Sequence, residues 1–134
     1  MMSMDDEILK RKKLADFYFD NYRKHRDLGE YQKASEFLWG ALNNLVYAFG
    51  LIYGERLTSH KRIKEFINRI STHYNKEEIA KLFSESAEVL HANFYHDFLD
   101  EDSFKIHTMN VEKLLFELAE LLIEELKKRK IERH

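Results

Sequence analysis

Apolar residues recur every three or four positions along most of this chain, which is the pattern of helices that bury one face. This pattern, together with residues that typically cap helix ends, predicts five helices, over about residues 5–27, 30–53, 60–73, 75–99 and 109–130. Gly29 and Gly54 follow the first two helices, Ser59 precedes the third, and Asn75 with Glu78 has the spacing of a capping box at the fourth. The acidic stretch 100–103 is predicted to be the loop before the last helix.

The second predicted helix differs from the others because it is apolar on nearly every face from Phe37 to Tyr53. Its length is at the lower limit for a membrane span, and Asn43 and Asn44 would place two amides near the middle of the bilayer. We therefore predict a core helix rather than a transmembrane one. Because a helix that is apolar all round needs cover on every side, we expect it to be central in the bundle or to join the last helix in a homodimer interface.

The composition excludes several classes of protein. The chain has 134 residues with no proline and four glycines, and 34% of its residues are charged, which favours helices over strands. We predict a single domain over residues 1–134, with an all-α, up-and-down antiparallel helical bundle. The absence of cysteine excludes disulfides and thiolate metal sites, and the N-terminus has no secretory signal pattern, so we expect a cytoplasmic protein.

A net charge of −2 gives no overall attraction to nucleic acid, so a site for a polyanion has to be a local basic patch. The longest basic excess before the C-terminal tail covers residues 56–81, with seven Lys or Arg against three Asp or Glu. The candidates for holding phosphate in this stretch are Arg62, Arg69, His73, His60 and Lys64. The alternative is a solvated helix face with ordinary pairing between residues four apart.

The fourth predicted helix concentrates histidines and aromatic residues between Ala87 and Asp100. A rotation of about 100° per residue sorts them onto two faces. The face predicted to pack holds His91, Phe94, Tyr95 and Phe98, and the polar face predicted to be exposed holds Asn93, His96, Asp97 and Asp100. His91 is a candidate general base oriented by Tyr95, or else a core histidine hydrogen-bonded to Asn43, Asn44 or Tyr47 on a facing helix.

The polar face has side chains of the kinds that bind metals. One imidazole and two carboxylates at a helix end make a poorly preorganised site, so we expect a solvated face, with a zinc site between His96 and His107 as the alternative. The sequence has no glycine-rich phosphate loop, serine-hydrolase elbow or zinc-protease motif. We therefore predict no metal and no cofactor, and an ordinary metabolic enzyme is disfavoured.

Two stretches together resemble a known family. The first is GEYQKASEFLWGA from Gly29 to Ala41, and the second is LHANFY from Leu90 to Tyr95. His60, near the head of the third helix, also has a matching place. The pair resembles the archaeal PaREP-type proteins of the HEPN superfamily, and the resemblance covers the chain from about residue 9 to about residue 126.

This resemblance implies a helical bundle that commonly dimerises. The superfamily includes metal-independent RNA-cleaving toxins, nucleotide-binding partners of nucleotidyltransferases, and proteins without known activity. Its active ribonucleases have an arginine followed, after four to six residues, by a histidine. Arg56 with His60 and Arg69 with His73 have only three residues between them, and the correctly spaced pair is Arg129 with His134 at the C-terminus.

This departure favours a HEPN-like binding module, with a nucleotide, an RNA or a protein such as a nucleotidyltransferase as its partner. The alternative is a metal-independent endoribonuclease of the toxin type. In that case Arg69 would stabilise the charge that develops on phosphorus, and His73 or His91 would take the proton of the 2′-hydroxyl.

Overall fold

The computed structural model describes residues 2–132, with side chains as far as Lys130, and this part of the chain is helical throughout except for its turns. The helices are α1 (Met4–Asp27), α2 (Tyr31–Ile52), α3 (His60–His73), α4 (Glu77–Leu82), a π-helical segment (Phe83–Ala87), α5 (Glu88–His96) and α6 (Glu101–Glu132). The predicted all-α helical bundle is confirmed. The fourth predicted helix corresponds to α4, the π segment and α5, which follow one another without a break.

Helix α2 is the centre of the bundle, as its apolar sequence predicts. It packs against α1, α3, α5 and α6, and most of its side chains are buried, including Leu42, Leu45 and Phe49. The amide of Asn44 is satisfied inside the protein, since it donates to the carbonyl of Gly40 at 2.9 Å and accepts from Arg11 at 3.2 Å. Among the described residues, none of the helices has the combination of length and apolarity that a membrane span requires.

The cap predicted at the start of α3 is confirmed, and the capping box predicted just after its end is wrong. The hydroxyl of Ser59 accepts a hydrogen bond from the backbone N–H of Arg62 at 3.2 Å, so the predicted N-cap is confirmed. The predicted capping box of Asn75 and Glu78 is not formed, because Asn75 adopts the left-handed conformation, with φ 54°, and ends α3. Asparagine tolerates that conformation, and Lys76 becomes the N-cap of α4 without a side-chain cap.

Helix α6 begins at Glu101 rather than near Met109, so the predicted acidic loop is in fact the first turn of a helix. A carboxylate oxygen of Asp100 accepts the backbone N–H of Ser103 at 2.8 Å, and this hydrogen bond lowers the pKa of Asp100. Glu101 and Asp102 follow in the first turn, where negative charge is favourable beside the positive end of the helix dipole.

The turn between α5 and α6 is held by Asn93, which the sequence pattern placed on the exposed polar face. That prediction is wrong, because Asn93 is fully buried. Its side-chain oxygen accepts the backbone N–H groups of Phe98 and Leu99, each at 2.9 Å, and its side-chain nitrogen donates to the hydroxyl of Ser35 at 3.1 Å. These bonds pair backbone groups that lose their helical partners where α5 ends at His96 and Asp97 turns left-handed.

Within the predicted exposed face only Asn93 is buried, beside Leu90. Two residues of the face predicted to pack, Tyr95 and Phe98, are 65% and 55% exposed. Aromatic residues at helical spacing are often buried. Here the buried position near the end of α5 is occupied by Asn93, whose amide pairs the backbone of the following turn.

We expect the substitution Asn93→Ala to lower the free energy of unfolding by about 1–3 kcal/mol, because it leaves partly buried backbone amides without an acceptor. Urea denaturation of the purified variant measures this change. Asn68→Ala, at an exposed position of α3, is the control and is expected to stay within about 0.5 kcal/mol of the wild type. Equal stability of both variants would contradict the role assigned to Asn93.

Candidate functional site

Four elements meet around the single tryptophan of the chain. Trp39 of α2 is 9% exposed, and the ring of His91 from α5 stacks on it with 4.4 Å between ring centroids. The ring of His60 from the first turn of α3 lies 5.6 Å from Trp39, and Phe83 from the π segment lies 5.9 Å from it. We call Trp39, His60, His91 and Glu88 the histidine–tryptophan cluster.

Local structure explains why these side chains converge. The Ser59 cap sets the start of α3, which makes His60 its first residue. The π segment adds one residue to a helical turn and rotates the following residues relative to an unbroken α-helix, and such segments occur frequently at functional sites. Glu88 and His91 come directly after this segment and are three residues apart, so they share a side of α5.

The two imidazoles of the cluster have different surroundings. Nε2 of His60 lies 2.7 Å from a carboxylate oxygen of Glu88, and the His60 side chain is 45% exposed. Burial lowers the pKa of His91, the nearby imidazole of His60 lowers it further, and the charge of Glu88 opposes both effects. The cluster therefore combines one imidazole placed beside a carboxylate with a second that favours the neutral form.

The two imidazoles lie side by side, with 5.8 Å between ring centroids and 20° between ring planes. Two neighbouring imidazoles are groups of the kind that general acid–base catalysis uses. Tyr95, the predicted orienting partner of His91, contacts its ring edge to face at 5.3 Å.

The predicted catalytic set of Arg69, His73 and His91 is not assembled within one chain. His73 is the last residue of α3 and His60 the first, so they are about 20 Å apart along the helix axis. His91 lies beside His60, at the opposite end from His73. Both terminal nitrogens of Arg69 bond the carboxylate of Glu55, at 2.6 and 2.9 Å.

The predicted phosphate-binding residues are divided in the same way. Arg62 and Arg69 line a polar cavity of about 300 Å³ with Gly54, Glu55, Arg56, Leu57 and Glu65. Lys64 is exposed one helical turn after His60 and makes no hydrogen bond or ion pair with a described residue. Only His60 and Lys64 of the predicted set therefore belong near the cluster.

The remaining predicted residues lie apart from it. His96, Asp97 and Asp100 are exposed around the turn before α6, and the described residues contain no group of three or more potential metal ligands. Nδ1 of His107 is 3.0 Å from the hydroxyl of the buried Ser86, so its ring is used in a contact inside the bundle. Arg129 lies near the end of α6, and His134, its partner in the correctly spaced pair, is outside the described residues.

The sequence pattern does not single out two members of the cluster, Trp39 and Glu88. Trp39 lies within the apolar run of the second predicted helix, where a large side chain is typical of the core. The spacing of Glu88 and His91 was a usable signal, but the contact of Glu88 with His60 joins helices that are far apart in sequence. Only the tertiary contact between the first residue of α3 and the first residue of α5 reveals it.

Fold and site define the class of this protein as an all-α helical bundle with a cluster of two histidines and a carboxylate around one buried tryptophan. The chain belongs to the archaeal PaREP1/PaREP8 family, whose family model matches residues 10–115. That range contains the whole cluster and confirms the PaREP part of the resemblance, while membership of the HEPN superfamily stays a prediction. Comparison with curated proteins and with solved structures gave no match.

Since the pKa of His91 is lowered in the folded protein, the unfolded chain binds this proton more readily than the folded one. The stabilising contribution of neutral His91 is therefore fully present above about pH 6.5, the ordinary value for histidine, and is lost as the pH falls below it. We expect His91→Gln to have a flatter dependence of unfolding free energy on pH in this range than the wild type, as measured by urea denaturation.

His73→Gln is the matched control for this prediction, because His73 is an exposed histidine at the other end of α3. Its pH dependence is expected to follow that of the wild type. The assignment fails if the two variants have the same slope below pH 6.5.

Proposed function

We propose that this protein is a HEPN-like binding module that holds a nucleotide or a segment of single-stranded RNA at the histidine–tryptophan cluster. The observation behind this proposal is that Trp39, His60 and His91 come from the three parts of the sequence that the family resemblance singled out, and form one stack of rings. The HEPN assignment is supported by the all-α bundle and by the PaREP1/PaREP8 membership.

The cluster offers groups that suit a phosphate. Imidazole N–H groups donate hydrogen bonds to phosphate oxygens. Nε2 of His60 faces the carboxylate of Glu88, so Nδ1 of His60 and the ring of His91 are the imidazole groups left for a phosphate. Lys64 supplies a positive charge one helical turn from His60. The backbone N–H groups of His60 and Lys61 begin α3 and make no hydrogen bond with a described residue. Tyr95 is exposed at the edge of the same stack, where a base can lie against its ring.

Trp39 is the only tryptophan, so its fluorescence reports directly on the cluster. We expect a 12-nucleotide single-stranded RNA at low salt to change this fluorescence saturably. His60→Ala is expected to weaken binding about tenfold through loss of a charge-assisted hydrogen bond. His73→Ala, the exposed control on α3, should bind as the wild type does. A wild-type signal that responds neither to RNA nor to ADP would rule out the proposal.

A ribonuclease is the second candidate function, because the cluster places two imidazoles beside each other and the pKa of one of them, His91, is lowered. Neutral His91 would take the proton of the 2′-hydroxyl, whose oxygen attacks phosphorus. His60, beside Glu88, would protonate the departing 5′-oxygen and leave a 2′,3′-cyclic phosphate. The RNA recovered from the binding experiment, kept in EDTA, decides between the functions. Cyclic-phosphate ends that disappear with His91→Gln but persist with Arg69→Ala indicate cleavage, and intact RNA indicates a binding module.

We also propose that the protein is a homodimer, with an interface that differs from the predicted one. The apolar side chains of α2 are covered by its own chain, so α2 has little to offer a partner. Helix α6 instead exposes large apolar side chains at heptad spacing, namely Met109, Phe116 and Ile123, with Ile106 one turn earlier. A stripe with this spacing suits helix-to-helix contact between two copies. A nucleotidyltransferase is the protein partner that the HEPN resemblance implies in place of a second copy.

Light scattering during size-exclusion chromatography tests the homodimer. We expect twice the mass of the 16.2 kDa chain for the wild type, and a monomer for Phe116→Lys, because a lysine in the apolar stripe would lose its hydration on association. Glu124→Gln changes the charge of α6 by the same amount at an exposed position beside the stripe, and should stay dimeric. A wild-type monomer at high concentration would show that α6 does not pair two copies.

A further inference from the structure

A cavity of about 390 Å³ opens at the end of the bundle where α1 begins and where α2 and α6 end. Its apolar lining includes Ile8 of α1, Leu51 and Ile52 of α2, and Leu126 of α6. Its volume lies within the range of about 300–1,000 Å³ that is usual for sites of small molecules. It shares no residue with the histidine–tryptophan cluster, so it is independent of the function proposed above.

Positive charges line the same cavity. Among the described lining residues, Lys12, Arg129 and Lys130 are cations and Asp5 is the one carboxylate, which is itself engaged in an interaction. Neither Lys12 nor Lys130 has a hydrogen bond or an ion pair with a described residue. An apolar cavity with more cations than anions favours a ligand that has an apolar body and one negative group.

Arg129 is held in place at this cavity from the protein side. Its Nη1 donates to the carbonyl of Ile52 at 2.8 Å, and its guanidinium lies 5.1 Å from the ring centroid of Tyr53. Its Nε forms an ion pair with the carboxylate of Glu125 at 3.6 Å, a distance too long for a hydrogen bond. Its other terminal nitrogen, Nη2, has no partner among the described residues. The guanidinium is therefore positioned by the protein and has a donor to spare for a ligand.

We propose that this cavity binds a small carboxylate with an aliphatic body, of the chemical class of medium-chain fatty acids. The chain of the ligand lies against Ile8, Leu51 and Leu126, and its carboxylate lies among Lys12, Arg129 and Lys130. A polymer of phosphodiesters would leave the apolar lining unused, and a neutral alkane would leave the cations without a partner.

Isothermal calorimetry with decanoate, below its micelle concentration, tests the proposal on the full chain. Decanol, with the same aliphatic chain and no charge, and butyrate, with the same charge and a short chain, are the matched ligands. We expect saturable binding of decanoate, weaker binding of both matched ligands, and shifts of the Ile8, Leu51 and Leu126 methyl resonances in the NMR spectrum on addition of decanoate.

The double substitution Lys12→Gln/Lys130→Gln is expected to weaken decanoate binding about three- to tenfold, the combined effect of two partly exposed ion pairs. Lys127→Gln/Lys128→Gln is the control. It also removes two positive charges, from exposed residues near the end of α6 that do not line the cavity, and should change binding less than twofold. The proposal is overturned if decanoate does not bind, if decanol binds as tightly as decanoate, or if both double variants lose affinity equally.

Discussion

The apolar surface of α2 is the constraint on which the rest of the structure depends. Because this helix is apolar on nearly all sides, its burial requires partners around its whole circumference, and α1, α3, α5 and α6 supply them. Trp39 is part of that buried surface. The helices that cover it bring the first residue of α3 and the middle of α5 together, so the position of His60 and His91 follows from the packing of the core.

The polar groups that the core admits are used to close turns and to form the cluster. Asn93 is buried because it pairs the backbone at the end of α5, and Asn44 is satisfied within α2 and by α1. Glu88 and His60 differ from these, because their contact of 2.7 Å joins the side chains at the starts of two helices, α5 and α3, and pairs no backbone group. With a net charge of −2, the chain has no general attraction for polyanions, so the binding that we propose depends on local groups such as His60, His91 and Lys64.

The helices were predictable from the sequence because apolar periodicity and the cap residue Ser59 act locally. The central position of α2 was predictable for the same reason. The faces of α5 were not, since the aromatic residues Tyr95 and Phe98 mimic a buried stripe while the buried position belongs to an asparagine. The start of α6 was also missed, because acidic residues are equally compatible with a loop and with the N-terminal turn of a helix.

The site was predictable only in part. The sequence marks His60 and His91 as candidates, but it does not show that α3 carries Arg69 and His73 away from His91. The contact between Glu88 and His60 depends on the rotation that the π segment introduces and on how two helices pack. The spacing of residues along the sequence predicts neither of these.

The measurement that tests the central claim most directly is the NMR titration of the histidine side chains with a short single-stranded RNA. The account predicts that the ring resonances of His60 and His91 and the indole resonance of Trp39 shift together and saturate at one RNA concentration, while those of His73 and His96 stay in place. Shifts confined to His73, or spread equally over all these histidines, would contradict the assignment of the histidine–tryptophan cluster as the functional site.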